Sequence, residues 1–149
     1  MRILFVCLGN ICRSPSAEAV MRGLIANQEI EGVEVDSAGT GDWHVGESAD
    51  PRAISAAIER GVEISGSARQ VRSSDFEEFD LILAMDRSNH ANLLAMEGAD
   101  PGKVRLFREM AGEGEVDVPD PYFGGEDGFD EVLDILERGC VVVLEEYAN

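Results

Sequence analysis

Short runs of apolar residues alternate along this chain with segments whose apolar residues recur every three or four positions. The runs at 3–7, 33–37, 81–85 and 104–107 predict β-strands. The first and third runs are almost continuously hydrophobic, as is typical of strands that are covered on both faces. Strands that alternate with helices in this way indicate an α/β domain with a mostly parallel sheet.

Four helices are predicted between and after these strands. We expect the first to begin after Ser14, a good N-cap residue, with Pro15 at its first position. The second is expected to begin at Asp50 and to stop at Gly61, and the third to follow Asp86. The last is marked by apolar residues at helical spacing: Phe129, Val132, Leu133, Leu136, Cys140, Val143, Leu144 and Tyr147.

Length, charge and cysteine content exclude several classes of protein. The 149 residues suit one domain, since single cores usually contain about 100–200 residues. The net charge of −18 would repel nucleic-acid backbones and anionic membrane surfaces, so we expect neither as a partner. Three cysteines are too few and too unevenly spread for a disulfide-stapled secreted fold, which favours a reducing cytoplasm. The two histidines lie far from any paired cysteines, so no zinc site is expected.

The segment that follows the first predicted strand is the strongest candidate for chemistry. Cys7 ends the strand, the residues Leu-Gly-Asn-Ile-Cys-Arg-Ser follow it, and a helix is predicted to begin at once. A loop of this kind directs backbone N–H groups and a helix N-terminus at one point, where a tetrahedral oxyanion can bind. Arg13 adds a planar fork that matches two phosphate oxygens. Gly9 and Asn10 tolerate the left-handed backbone angles that a tight anion-binding loop requires.

The positive field of this loop would stabilise Cys7 as the thiolate, which is a ready nucleophile at neutral pH. The hydroxyl of Ser14 can donate a hydrogen bond to the sulfur and help it depart later in the reaction. On the loop residues alone, a redox or structural pair of Cys7 and Cys12 beside a solvated Arg13 stays open as the alternative.

Blocks of residues along the whole chain match one known family in order. The first block is Cys7-Leu8-Gly9-Asn10-Ile11-Cys12-Arg13-Ser14-Pro15; then come Asp36-Ser37-Ala38-Gly39-Thr40 with Trp43, Asp50-Pro51-Arg52, Ala68-Arg69-Gln70, Asp80 to Met85 with Asp86, and Asp120-Pro121-Tyr122-Phe123. This chain therefore resembles the low-molecular-weight protein-tyrosine phosphatases. The resemblance implies a three-layer fold with a four-stranded parallel sheet flanked by helices. It also implies hydrolysis of protein phosphotyrosine through a cysteinyl-phosphate intermediate, with no metal or cofactor.

The resemblance also implies roles for single positions. Cys7 matches the nucleophile, Arg13 the phosphate-binding arginine and Asp120 the general acid. Asp120 lies in the Gly- and Pro-rich segment 112–125, which the composition marks as a long loop. The remaining loop positions Leu8, Gly9, Ile11 and Cys12 would surround the phosphate; Asn10, Ser14 and Ser37 would brace the loop, and Trp43, Tyr122 and Phe123 would flank the pocket mouth. Read without the resemblance, the three aromatic residues could equally be ordinary core residues.

The role of Asp120 can also be argued from the reaction. A departing phenolate needs a proton because its conjugate acid has a pKa of about 10. A bound phosphate dianion would favour the protonated form of a nearby carboxyl group. Without the other residues, Asp120-Pro121 would be interpreted as a turn in an acidic chain.

Two positions need separate comment. Gly66 stands where many eukaryotic members carry a histidine that helps to hold the loop asparagine, so we expect that bracing to be arranged differently here. Cys12 matches a second loop cysteine that family members often use to trap an oxidised nucleophile as a disulfide.

Three alternative functions remain at this point. A thioredoxin-coupled arsenate reductase needs further downstream cysteines, and Cys140 alone, on the packed stripe of the last helix, cannot supply them. A protein-arginine phosphatase of the same fold carries threonine where this chain has Ile11. A non-catalytic phosphate-binding module would have lost Cys7, Arg13 or Asp120, and all three are present. For a phosphatase of this size we expect a monomer with a phosphoprotein substrate.

Overall fold

A computed structural model describes residues 1–122 and 127–147. Its sheet has four strands, all paired in parallel, in the order β2-β1-β3-β4. The strands are β1 Arg2–Cys7, β2 Glu34–Gly39, β3 Leu81–Ala84 and β4 Val104–Leu106. Each predicted strand is present, and the four-stranded parallel sheet implied by the resemblance is confirmed.

The helices of the described residues are α1 Arg13–Asn27, α2 Pro51–Glu59, α3 Asp75–Glu78, α4 Arg87–Leu94, α5 Phe107–Met110 and α6 Asp127–Tyr147. The four predicted helices correspond to α1, α2, α4 and α6. The short helices α3 and α5 were not predicted, because a single helical turn is too short to show apolar periodicity. None of the described helices has the length and apolar character needed to cross a membrane.

Both faces of the sheet are covered, which explains the continuous hydrophobic runs. In β1, Ile3 and Phe5 belong to the larger core, which also contains the buried sides of α1 and α6. Leu4 and Val6 belong to the smaller core on the opposite face, beneath α3 and α4. Alternate residues of the strand therefore contact different helix layers, and the fold is a three-layer α/β sandwich.

The start of α1 differs from the prediction. The helix begins at Arg13, and its N-cap residue, Cys12, makes no side-chain capping hydrogen bond. Ser14 therefore lies inside the helix, and its predicted role as N-cap is wrong. The physical reason is that the Ser14 hydroxyl is engaged elsewhere, 3.0 Å from the sulfur of Cys7.

The starts of α2 and α4 follow the prediction, and both helices have side-chain caps. Asp50 accepts a hydrogen bond from the backbone N–H of Arg52 at 2.8 Å, and Asp86 accepts one from the N–H of Asn89 at 2.7 Å. These bonds satisfy N–H groups that have no partner within the helix. Helix α2 ends just before Gly61, whose φ of +76° is a left-handed conformation that glycine adopts without strain.

The end of β2 reaches further than predicted and supports the candidate loop. Gly39 pairs with Cys7 in the sheet register, and its N–H donates to the backbone oxygen of Arg69 at 2.9 Å. A Cβ at Gly39 would lie only 2.7 Å from the backbone oxygen of Leu8. Glycine is therefore required here because the end of the strand passes directly behind the loop.

Candidate active site

The candidate nucleophile lies at the carboxyl end of the central strand β1, where the chain turns into α1. The backbone N–H of Asn10 donates to Cys7 Sγ at 3.3 Å, and Ser14 Oγ lies 3.0 Å from the same sulfur. Cys7 is only 2% exposed, yet it lines a cavity of about 110 Å³ that opens to the surface. Its sulfur is thus surrounded by polar groups at the base of a pocket.

The backbone of this loop uses the left-handed conformation at one of the two residues that tolerate it. Asn10 has a φ of 57°, in the left-handed region. The φ of Gly9 is not positive. Glycine suits this position through its small size, because a Cβ there would lie 3.0 Å from the ring of His44.

The amide of Asn10 ties the loop to three separate parts of the chain. Asn10 Nδ2 donates to Ser14 Oγ at 2.9 Å and to Ser37 Oγ at 3.0 Å. Asn10 Oδ1 accepts from the backbone N–H of Arg69 at 3.0 Å. The structure thus brings together the three residues that the resemblance associates with bracing. Since these groups are buried, each bond also removes an otherwise unpaired polar atom.

A carboxylate that the sequence analysis missed extends this network. Ser37 Oγ donates to Glu18 Oε1 at 2.7 Å, and Glu18 also forms an ion pair with Arg22 at 2.9 Å. Burial raises the pKa of Glu18 above its ordinary value, although the bond from Ser37 opposes the shift. Gly66, at the position that departs from the family pattern, has a φ of +86°, which suits glycine.

Arg13 joins the loop to two other segments. Its side chain is 3% exposed, and Nη1 donates to Asp86 Oδ2 at 2.7 Å and to the backbone oxygen of Val118 at 3.1 Å. Burial alone would lower the pKa of Arg13, but the charges of Cys7 and Asp86 outweigh it and the pKa is raised. Asp86 was predicted only as a helix start, so its ion pair with Arg13 is a new finding.

Asp120 lines the same cavity as Cys7 and Arg13. Its Oδ2 lies 3.6 Å from Arg13 Nη2, and its Oδ1 accepts a hydrogen bond from the backbone N–H of Tyr122 at 3.0 Å. The side chain is 35% exposed, so the carboxyl group can exchange protons with solvent. The three residues that the sequence analysis singled out as catalytic thus meet at one pocket.

Apolar and aromatic side chains form the walls of the pocket. Trp43 is 69% exposed and Tyr122 is also exposed, so neither is a core residue. A Cβ at Gly41 would overlap the Trp43 ring, which shows how closely the indole covers that glycine. Phe123 lies outside the described residues. The remaining lining residues are Leu8, Gly9, Ile11, Cys12 and His44.

His44 was not identified from the sequence as a site residue. Its Nδ1 lies 2.8 Å from Glu47 Oε2, and its ring centroid is 6.3 Å from that of Tyr122. A single histidine between polar residues carries no sequence signal, so only the folded chain shows it at the pocket.

The other two cysteines differ from Cys7. Burial, followed by the negative charge of Asp50, raises the pKa of Cys12 to about 12. Cys140 lies fully buried in the core on α6, as predicted, and burial raises its pKa as well. All three cysteines are free. Within 1–122 and 127–147, no cluster of three or more His, Cys, Asp or Glu residues could hold a metal ion.

Comparison with known proteins identifies the family. The model of the family "Low molecular weight phosphotyrosine protein phosphatase" matches residues 2–148. The chain belongs to this family. Its relatives include the low molecular weight protein-tyrosine-phosphatase of Streptomyces coelicolor, which is 48% identical in a match that covers 96% of this chain and 91% of that protein. The members are hydrolases.

Solved structures of this phosphatase fold are also similar. A protein tyrosine phosphatase from Entamoeba histolytica has a TM-score of 0.89 and 45% identity, covering 98% of this chain and 97% of the other. The Drosophila arginine phosphatase has a TM-score of 0.90 and 32% identity, covering 100% and 99%. The fold is thus shared by phosphatases with two substrate classes, and the pocket must distinguish between them.

Proposed function

We propose that this phosphatase hydrolyses phosphotyrosine in proteins through a covalent intermediate on Cys7. The observation that supports this most strongly is the position of the Cys7 sulfur. It lies at the base of a pocket, beside the N–H of Asn10 and the hydroxyl of Ser14, in a cavity that Arg13 and Asp120 also line. Nucleophile, anion site and acid are thus within reach of one bound phosphate.

In the first step, the thiolate of Cys7 attacks phosphorus. The phosphorus–sulfur bond forms while the bond from phosphorus to the tyrosine oxygen breaks. Arg13 and the backbone N–H groups of the loop hold the phosphate oxygens, because the helix N-terminus and the guanidinium both favour negative charge there. Asp120 gives its proton to the departing phenolate oxygen, which leaves as neutral tyrosine.

In the second step, water hydrolyses the cysteinyl-phosphate. Asp120, now ionised, accepts a proton from the water as its oxygen attacks phosphorus, and the phosphorus–sulfur bond breaks. The departing sulfur carries the electron pair, and the Ser14 hydroxyl, 3.0 Å from it, stabilises that charge. Inorganic phosphate leaves and Asp120 is protonated again, so the cycle closes without a cofactor.

The shape of the pocket favours an aryl phosphate. Cys7 is buried, so only a phosphate on a long side chain reaches it. The rings of Trp43 and Tyr122 stand beside the opening, where they can pack against a phenyl group. The net charge of −18 makes nucleic acid an unsuitable partner. We propose a cytoplasmic location, because three cysteines without a disulfide pattern suit a reducing compartment. For a phosphatase of 149 residues we expect a monomer.

Phosphotyrosine is favoured over phosphoarginine by one wall of the pocket. Ile11 lines the cavity where arginine phosphatases of this fold carry threonine. Its larger apolar side chain restricts the space for a guanidinium group. A matched pair of phosphotyrosine and phosphoarginine peptides measures the preference directly, and we expect the tyrosine peptide to be the better substrate.

The nucleophile is tested with Cys7→Ser. We expect turnover of para-nitrophenyl phosphate to fall by at least about 10⁴-fold, while inorganic phosphate still binds because the loop N–H groups remain. Cys140→Ala is the matched control, since it removes a buried thiol far from the pocket and should retain activity. A Cys7→Ser protein that keeps a substantial rate would show that Cys7 is not the nucleophile.

A further inference from the structure

We infer that Arg52 is a positioning residue for the general acid: it holds the backbone of the Asp120 segment in register with the phosphate-binding loop. The inference rests on the proposed function, because it assumes that Asp120 delivers the proton. Arg52 does not line the pocket and is not expected to touch substrate. Its hydrogen bonds to Tyr122 on one side and to Asp50 on the other support this role.

The guanidinium of Arg52 connects α2 to the segment that carries Asp120. Arg52 Nη2 donates to the backbone oxygen of Tyr122 at 3.1 Å, two residues after the acid. The same group lies 5.6 Å from the Tyr122 ring centroid and 4.8 Å from that of Phe129 on α6. The hydrogen bond and the cation–π contact with Tyr122 both act on the chain directly after Asp120.

On its other side, Arg52 is held by the residue that contacts the phosphate-binding loop. Arg52 Nε and Nη2 donate to the two carboxylate oxygens of Asp50 at 3.1 and 2.9 Å. This paired arrangement fixes the plane of the guanidinium. The backbone N–H of Asp50 in turn donates to the oxygen of Ile11 at 2.8 Å. A continuous set of contacts thus joins Ile11 through Asp50 and Arg52 to Tyr122.

The position of Asp120 depends on this connection. Asp120 Oδ1 accepts from the N–H of Tyr122 at 3.0 Å, so the residue that Arg52 holds also orients the acid. A proton donor must lie within hydrogen-bond distance of the leaving oxygen, and small displacements reduce its contribution. Loss of Arg52 should therefore weaken proton delivery and leave attack by Cys7 unaffected.

The chain offers a matched control at the opposite end of α2. Arg60 forms ion pairs with Asp134 at 2.8 Å and Glu137 at 3.3 Å on α6. It is less exposed than Arg52, with 23% against 44% of the side chain accessible. Arg60 therefore contributes to the packing of α2 on α6 without contacting the Asp120 segment. If packing were all that Arg52 provides, removal of Arg60 would be at least as harmful.

The experiment compares two substrates in the wild type, Arg52→Met, Asp120→Asn and the double variant, with Arg52→Lys and Arg60→Met as further controls. Methionine keeps an unbranched apolar stem but removes the donors and the positive charge. We expect Arg52→Met to lower kcat/KM, which reports only the first step, by about tenfold for phenyl phosphate, whose leaving group needs a proton. It should change kcat/KM by less than about twofold for 2,4-dinitrophenyl phosphate, whose leaving group departs without one. Arg52→Lys should fall between Arg52→Met and the wild type for phenyl phosphate.

The double variant decides whether Arg52 acts through Asp120. In the Asp120→Asn background, Arg52→Met should change phenyl phosphate turnover by less than about twofold. For Arg60→Met, the ratio of kcat/KM between the two substrates should stay as in the wild type. The melting temperature of this variant is measured alongside. Equal losses on both substrates, or losses that multiply with Asp120→Asn, would overturn the inference. If Asp120→Asn alone keeps wild-type turnover of phenyl phosphate, the proposed role of Asp120 fails, and the inference fails with it.

Discussion

The phosphate-binding loop and the segment around Asp120 meet at one pocket but are built differently. In the loop, Cys7, Asn10 and Arg13 are almost completely buried, and the amide of Asn10 is bonded on every side. Asp120 is partly exposed and accepts one backbone hydrogen bond, from the chain that follows it. One region is held by buried polar bonds and the other by contacts at the surface.

The difference matches the tasks proposed for the two regions. An anion site stabilises a transition state best when its donors already point at the oxygens, because no reorganisation is then needed during the reaction. A group that gives and regains a proton in each cycle must instead have access to water. Arg13 belongs to both regions, since it binds Asp86 and also approaches Asp120.

Among substitutions that compare the two regions, the largest effect is expected where they join. Arg13→Lys keeps the charge but replaces the planar fork with a single ammonium group, which cannot hold two phosphate oxygens and Asp86 together. We expect kcat/KM for para-nitrophenyl phosphate to fall by about 10²–10³-fold. Arg105→Lys, at an exposed position of β4, is the control and should have little effect. If Arg13→Lys keeps a near wild-type kcat/KM, the positive charge is sufficient and the planar guanidinium is not required.

A smaller effect is expected when only the loop network is broken. Asn10→Gly keeps the left-handed backbone but removes the amide, so the N–H of Arg69 loses its partner and Ser37 keeps only its bond to Glu18. We expect unfolding by urea to show a loss of about 1–3 kcal/mol, together with about a tenfold fall in kcat. Asn10→Ala should lose about 1 kcal/mol more, because alanine disfavours a φ of 57°. If the two variants are equally stable, the left-handed backbone at position 10 does not strain alanine, and this prediction is wrong.

The smallest effect on turnover is expected for Cys12→Ser. Because burial raises the pKa of Cys12 to about 12, its thiol is neutral at pH 7 and does not compete with Cys7 as a nucleophile. We expect kcat to change by less than about threefold. Recovery by thiol reductant after peroxide treatment should be lost, since no neighbouring thiol remains to trap oxidised Cys7. Cys140→Ala should retain that recovery, and full recovery in Cys12→Ser would argue against protection by Cys12.

Features that depend on neighbouring residues were predictable from the sequence. The strands, the caps at Asp50 and Asp86 and the left-handed Asn10 follow from local patterns and the conformational preferences of single residues. The same kind of reasoning failed for Ser14. Serine is suited to a local role as a helix cap, but the contact of its hydroxyl with the sulfur of Cys7 determines how it is used.

The sequence by itself determined that a cysteine and an arginine would share one loop between a buried strand and a helix, because strand, loop and helix are contiguous. Only the tertiary structure decided which charges and amides complete the site. Arg13 and Asp86 are 73 residues apart, and Arg52 and the oxygen of Tyr122 are 70 apart. Such pairs are set by the order β2-β1-β3-β4 and by the packing of helices on the sheet. They cannot be recognised from the spacing of residues along the chain.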